Sequence, residues 1–164
     1  MEKKFPIDGF VAGPPRQEEA VDVGRLFYAD MTSQTVTLSE DQATELASDV
    51  AEAVQKENPN AVCRVVRTEA ENKPVGVILA NFHWSVKFGG KALWIEELYV
   101  DPSYRRNGIG RALVEWILDY AEQHDVRGID LEAYQGNTPA SVLYRTMGFR
   151  RLGRERFYYV MGDS

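Results

Sequence analysis

One stretch, "LWIEELYVDPSYRRNGIGRALVEWILDYAEQHDVRGIDLEAY", constrains the fold more than any other part of the chain. The apolar run "LWIEELYV" gives way to a proline, arginines and glycines, and apolar residues then recur at helical spacing from Ile109 to about Gln123. A second β-rich run, "GIDLEAY", follows. A strand, a crossover helix and a strand in this order predict two parallel neighbouring strands.

What precedes this unit reads as antiparallel. A short strand is expected at Gly9 to Ala12, ended by Gly13, Pro14 and Pro15. In "RQEEAVDVGRLFYADM", Ala20, Val23, Phe27 and Met31 share one helical face, with Glu18 and Glu19 in the first turn. Ser39 followed by Gln42 has capping-box form, and Ala43, Leu46, Ala47, Val50, Ala51 and Val54 repeat at helical spacing after it. "AVCRVVRTE" and "VGVILANFHW" read as a hairpin around "AENKP", and "KFGGK" turns the chain into "ALWIEELYV". Towards the end, "TPASVLYRTM" predicts a helix with Pro139 in its first turn and Gly148 as C-terminal cap, and "FYYV" predicts a last strand. With 164 residues and no dividing linker, residues 1–164 are expected to form one mixed α/β (α+β) domain.

Composition narrows the functional classes. A net charge of −6 and no basic stripe argue against nucleic-acid binding and favour a cationic small partner. No run approaches transmembrane length, and "MEKKFPIDGFVAGPPRQ" lacks the sustained apolar segment of a secretory leader, so a cytoplasmic protein with no membrane association is expected. Cys63, the sole cysteine, lies in an apolar run and reads as buried filler. His83 and His124 stand far apart without cysteine partners, so no metal is expected.

The chemistry concentrates where the strand meets the crossover helix. A helix N-terminus exposes unpaired N–H groups and partial positive charge, and glycines there let an anion approach the backbone. Arg105-x-x-Gly108-x-Gly110 therefore describes a cradle for a phosphate or pyrophosphate, to which the arginines add charge-assisted hydrogen bonds. A tight surface turn with solvated arginines is the competing structural reading. A Walker loop is excluded because Arg111-Ala112 follow Gly110, and a dinucleotide fingerprint because Leu113 stands where a small residue belongs.

These residues resemble the signature of the GNAT superfamily of acyl-CoA-dependent N-acyltransferases, Arg/Gln-x-x-Gly-x-Gly/Ala. The resemblance runs on through "GIDLEAYQGNTPASVLYRTMGF", with Asn137 seven residues before Tyr144 and a closing "MGF". It implies a GNAT fold: a mixed, largely antiparallel sheet of six to seven strands, about four helices, and a parallel pair splayed at the cofactor site. It also implies acetyl-CoA as co-substrate. The backbone of Leu98, Tyr99 and Val100 would pair with the pantetheine arm. The N–H groups from Arg106 through Asn107, Gly108, Ile109 and Gly110 to Arg111 would receive the pyrophosphate, and Asn137 would contact the cofactor. A homodimer is expected from family habit.

The implied reaction is attack of a neutral amine on a thioester. An amine with a pKa near that of lysine, about 10.4, needs a base, and the leaving thiolate needs an acid. Tyr144 matches the family's acid, although core packing alone would also explain it. Glu96 and Glu97 are the candidate bases. Adjacent strand residues face opposite sides unless a bulge intervenes, so Glu96 is the first choice and Glu97 the second. Within the family, "GVILANFHWSVKFGGKALWIEELYVDPSYRRNGIG" most resembles the diamine and polyamine (spermidine/spermine) acetyltransferases. Trp84, with Trp94, and Glu96 would then bind a small cationic amine, unless the tryptophans serve only the core. Residues 1 to 60 match the family only in having a strand and two helices, which leaves a peptide acceptor or a noncatalytic acyl-CoA-binding domain as alternatives.

Overall fold

Alternation, turns and caps in the sequence become nine regular elements in the computed structural model, which describes residues 4–33, 37–56, 60–133 and 136–162. The chain divides into two compact units, Met1–Glu132 and Ala133–Ser164.

The first unit contains β1 (Phe10–Gly13), α1 (Ala20–Ser33), α2 (Glu40–Gln55), β2 (Ala61–Thr68), β3 (Pro74–Ser85), β4 (Gly90–Val100), α3 (Ile109–Gln123) and β5 (Gly128–Leu131). They form one five-stranded sheet in the order β1-β2-β3-β4-β5, antiparallel except for the parallel β4–β5 pair. The crossover helix α3 begins at Ile109 and ends at Gln123, as its apolar spacing implies. β5 stops at Leu131, short of the Tyr134 at which the β-rich run ends; Tyr134 lies outside the described residues.

Each face of the sheet carries a core. On one, Val62, Ile78, Ala80, Leu93 and Ile95 pack with Ile109, Leu113 and Ile117 of α3. On the other, Cys63, Val65, Val77 and Leu79 pack with Val23, Leu26 and Phe27 of α1 and Ala43 and Ala47 of α2. The Ser39–Gln42 capping box starts α2, with Gln42 N–H donating to Ser39 Oγ at 3.2 Å and Ser39 N–H to Gln42 Oε1 at 2.9 Å.

Strict alternation would put Ile95, Glu97 and Tyr99 of β4 on one face. The ladder departs from it: Leu79 pairs with Glu97, the next residue Ala80 pairs with Ile95, and Glu96 is left as a one-residue bulge. Ile95 consequently faces α3, while Tyr99 packs with the core under α1 and α2. Pairing of β4 with β5 ends at Ile95–Leu131, so the backbone of Glu97–Val100 keeps its β3 partners while Glu96–Val100 has no β5 partner among the described residues. At the other end of the pair, a Cβ added to Gly128 would lie 2.4 Å from the Phe88 ring, and Lys87 Nζ bonds Asp130 Oδ1 at 2.5 Å. The β3–β4 turn thus closes over the start of β5.

In the second unit α4 (Thr138–Thr146) begins with Asn137 as N-cap, its Oδ1 accepting from Ala140 N–H at 3.4 Å. It ends on Gly148 at φ 94°, with Gly148 N–H donating to Arg145 O at 3.1 Å and Phe149 N–H to Tyr144 O at 3.0 Å. These two bonds make a Schellman motif, and the Tyr144 and Phe149 rings pack edge to face at 5.7 Å as its apolar clasp. The expected last strand is corrected: Phe149–Val160 has no regular secondary structure, and Phe157, Tyr158 and Tyr159 are exposed. Aromatic content favours a strand only where a neighbour supplies the ladder, and none pairs with this stretch among the described residues. The sheet accordingly has five described strands rather than six or seven.

Gly24 sets how closely α1 lies on α2, since a Cβ there would stand 2.7 Å from the Thr44 Cα and 2.8 Å from its N. In Gly24→Ala, a helix-propensity gain of about 1 kcal/mol opposes an overpacking cost of about 1–3 kcal/mol, and the clash with backbone decides the sign. Thermal unfolding should show a lower Tm for Gly24→Ala than for the parent.

Candidate functional site

The end of β4 leads through Asp101 and a 3₁₀ turn, Pro102–Tyr104, into α3. Asp101 fixes the turn by accepting from Ser103 N–H at 2.8 Å. Arg105 does not extend outward: its Nε donates to Val100 O at 2.9 Å and its guanidinium lies 5.3 Å from the Tyr99 ring centroid, tying the loop to the strand. Asn107 likewise turns its side chain inward, Nδ2 donating to Tyr104 O at 2.8 Å. Arg106 adopts φ 67° and Gly108, the N-cap of α3, φ 81°. Arg111 is exposed and pairs with Glu115 at 3.1 Å.

This helix start is left open to an anion. Gly108 provides no side-chain cap, the first turn has no acidic residue, and the N–H groups of Ile109, Gly110 and Arg111 have no acceptor one turn earlier within the helix. Packing does not require glycine at position 110, where a Cβ would meet Val100 Cγ2 at an ordinary 3.9 Å. The residues therefore fit a pyrophosphate, and the free edge of Glu96–Val100 beside them fits a ligand arm carrying peptide-like amides.

The bulge separates the two adjacent carboxylates. Glu96 is exposed, whereas Glu97 is 6% exposed and hydrogen-bonds Asp30, an α1 residue that is 7% exposed. Burial, then the hydrogen bond and charge of Asp30, then the charge of Glu96 hold the Glu97 carboxyl well above the usual carboxylate range. Its Oε2 is enclosed without a hydrogen-bond partner, an arrangement that costs about 1–3 kcal/mol in a folded protein. Tyr99, two residues along β4, is also raised, chiefly by burial.

Sequence reasoning missed Asp30. Its signal was an acid at the third position of the Val23, Phe27 stripe, where an apolar residue is expected. Trp84 is not brought to this place: it is 71% exposed, pairs with Lys91, and follows Phe82 on the α3 face. Along β3 it stands five positions from Leu79, the partner of Glu97, or about 16 Å. Trp94 is half-buried and His83 exposed. Asn137 and Tyr144 occupy the cap and the clasp of α4 in the second unit. Burial pushes the Cys63 thiol up to about 12, which leaves it unsuited to nucleophilic work at neutral pH. Among the described residues no cluster of three His, Cys, Asp or Glu side chains is placed to hold a metal, and no helix is long and apolar enough to cross a membrane.

A strand freed at a parallel pair beside an uncapped glycine helix start fits a ligand with an amide-bearing arm and an anionic end. Residues 28–149 match the profile of the Acetyltransferase (GNAT) family, and the chain belongs to that family. It is 41% identical over 65 residues to the [Ribosomal protein bS18]-alanine N-acetyltransferase of Escherichia coli (strain K12), covering 40% of this chain and 44% of that protein. With the N-alpha-acetyltransferase RimI of Mycobacterium tuberculosis it shares 42% identity over 71 residues, 42% of each chain. The chain thus spans less than half the length of these curated relatives. Among solved structures, a possible acetyltransferase from Clostridium difficile 630 superposes with a TM-score of 0.74 at 21% identity, over 93% of this chain and 98% of that one. Glucosamine-6-phosphate N-acetyltransferase from Arabidopsis thaliana gives 0.68 at 16%, over 92% and 97%. At these identities the likeness is one of fold.

Two outcomes follow from this geometry. The native state keeps a proton on Glu97 that the unfolded chain releases above its ordinary value of 4.5, so this group's stabilising contribution is complete below that pH and declines as pH rises. Melting curves of wild type and Glu97→Gln at pH 5, 7 and 9 should diverge progressively in favour of the variant. Gly110→Ala should keep or raise Tm, by up to about 1 kcal/mol in helix propensity. Gly110→Asp, which sets a negative charge in the first turn of α3, should instead weaken coenzyme A binding in calorimetric titration by about tenfold or more, the equivalent of about 1.4 kcal/mol.

Proposed function

We propose that the protein is an acetyl-CoA-dependent N-acetyltransferase acting on a primary amine, with the free α-amine of a peptide or protein as first acceptor class. The observation that carries this reading is the freed edge of β4, set between the open start of α3 and the buried Glu97 carboxyl. The N-terminal acetyltransferases among the relatives support the acceptor class.

Acetyl-CoA supplies an activated thioester when bound. The main chain of Leu98, Tyr99 and Val100, apart from the Val100 carbonyl that holds Arg105, would offer the groups not used by β3 to the ligand's amides, and the N–H groups of Arg106–Arg111 would receive the pyrophosphate. Arg105 holds the loop against β4, so its contribution is to the shape of the cradle. A peptide α-amine has a pKa of about 7.7–8.0 and is readily freed of its proton near neutrality. A carboxyl held above its usual range is, once ionised, a stronger base than an ordinary carboxylate and better matched to such an amine. Glu97 suits that role, with exposed Glu96 relaying to solvent. Tyr144 is assigned the leaving-group acid and Asn137 a cofactor contact, both on their motif positions.

A small polyamine is the second reading, favoured by the grouping of Glu96, Glu97 and Asp30. Free-thiol release from acetyl-CoA, measured with alanine-initiated peptides, spermidine, short diamines, amino acids and aminoglycosides, tests both. Release with peptides, cut about 10²-fold or more in Tyr144→Phe, is the expected result. Release with spermidine alone transfers the assignment to the polyamine class. Tight acetyl-CoA binding without release from any acceptor replaces it with a noncatalytic acyl-CoA-binding role.

A further inference from the structure

The antiparallel register decides which main-chain groups of β4 face the open edge. Asp101 N–H donates to Val75 O at 2.8 Å, which makes these two residues a hydrogen-bonded pair. Such pairs alternate along the ladder, so Tyr99–Val77 and Glu97–Leu79 are hydrogen-bonded pairs as well, while Val100–Gly76 and Leu98–Ile78 stand between them. Residues of an intervening pair turn their N–H and C=O away from the partner strand. The main chain of Tyr99 is therefore spent on β3. Among the described residues, the groups left at the edge where β5 has ended are the N–H and C=O of Leu98 and of Val100. One of them is already taken: Arg105 reaches back from the loop and its Nε donates to Val100 O at 2.9 Å, with the guanidinium 5.3 Å from the Tyr99 ring centroid. Arg105 is exposed and in no ion pair among the described residues, so a main-chain carbonyl and an aromatic face, not a carboxylate, hold it in place.

We propose that Arg105 is a positioning residue for the arm of acyl-CoA: it satisfies the Val100 carbonyl from the protein side, so the strand-like stretch of the open edge ends there. The inference rests on the acyl-CoA reading of this site. A carbonyl that a bound ligand covers without giving it a donor loses its water and gains nothing in return, at a cost comparable to a lost hydrogen bond. With Arg105 in place that cost does not arise. The arm's amides then have the Leu98 N–H, the Leu98 C=O and the Val100 N–H to meet, and past Val100 the ligand leaves the strand path for the N–H groups at the start of α3. A peptide laid on the same edge as an ordinary added strand would find no acceptor at Val100. The edge thus favours an arm that turns away at this point over one that continues. The stop also fixes register, setting the acyl end relative to the bulge at Glu96, two residues from Leu98. What this role needs from residue 105 is an N–H donor, not a charge.

Arg105→Gln keeps an N–H donor and removes the charge, whereas Arg105→Met removes both and keeps a flexible stem against the Tyr99 ring. Circular dichroism verifies that each folds. Calorimetric titration with coenzyme A should show binding about tenfold weaker in Arg105→Met and within about threefold of wild type in Arg105→Gln. In thiol-release assays the KM for acetyl-CoA should rise about tenfold in Arg105→Met, with the KM of the acceptor amine unmoved. Amide hydrogen exchange of the wild type, read by NMR, should slow by about tenfold or more at Leu98 and Val100 when coenzyme A is added, and change less at Tyr99, whose N–H is already bonded to β3. A glutamine variant as weak as the methionine variant assigns Arg105 to the phosphates through its charge and overturns the proposal. Unchanged or tighter coenzyme A binding in Arg105→Met overturns it as well, as does protection that falls on Tyr99 rather than on Leu98 and Val100. A wild-type protein that does not bind coenzyme A removes the acyl-CoA reading of the site, and the role of Arg105 with it.

Discussion

Everything distinctive about the first unit depends on one unpaired residue in β4. With Glu96 bulged out of the β3 ladder, the side-chain alternation of β4 is reset between Ile95 and Glu97. Residues before the bulge follow one parity, with Leu93 and Ile95 serving the α3 core, and those after it follow the other, with Leu98 and Val100 facing α3 and Tyr99 facing α1 and α2. The same position marks the end of β5 pairing. A single inserted residue thereby joins three properties: a carboxyl carried into the interior beside Asp30, a carboxyl left in solvent, and a stretch of main chain with one open edge.

Burial then does different work at the two ends of that open edge. At the bulge, a low-dielectric setting and an acidic neighbour keep a proton on Glu97. Five residues on, the backbone turns outward and ends in a helix start whose N–H groups no side chain caps. Between them Tyr99 and Arg105 form a stacked link, so the loop that would receive an anion is fastened to the strand that would hold its arm. The arrangement is one rim with a buried carboxyl raised above its usual range at one end and partial positive charge at the other.

Much of this is written locally in the chain. The Ser39–Gln42 box, the apolar stripe of α3 and the Tyr144…Gly148-Phe149 ending each contain the chemistry of their own geometry, because caps and amphipathic faces are fixed within a turn or two. Gly108 and the loop around it were readable for the same reason. Asp30 was not, since its importance comes from a strand residue far along the sequence, and the α1 stripe shows only that an acid stands where an apolar residue fits. The bulge was legible only as a condition: two neighbouring glutamates in a strand face opposite sides unless one intervenes, and nothing local says whether it does or which carboxylate goes inside. Trp84 and "FYYV" mark the opposite limit, where residue type suggested binding or a strand but the tertiary partners that would make it so are not beside it among the described residues.

The β4–β5 pair is fastened at only one end. Phe88 lies over Gly128, and Lys87 holds Asp130, both near the first residues of β5. From there the strands run together for four rungs before the bulge lets them part. In mechanical terms this is a clothes peg: the spring is the aromatic clasp on the β3–β4 turn, and the jaws open beside Glu97. Whatever sits in the jaws is gripped by a lever whose pivot lies at the far end of the pair. The spacing of the pair is therefore set in part by a glycine and a phenylalanine at the end of β5 remote from Glu97.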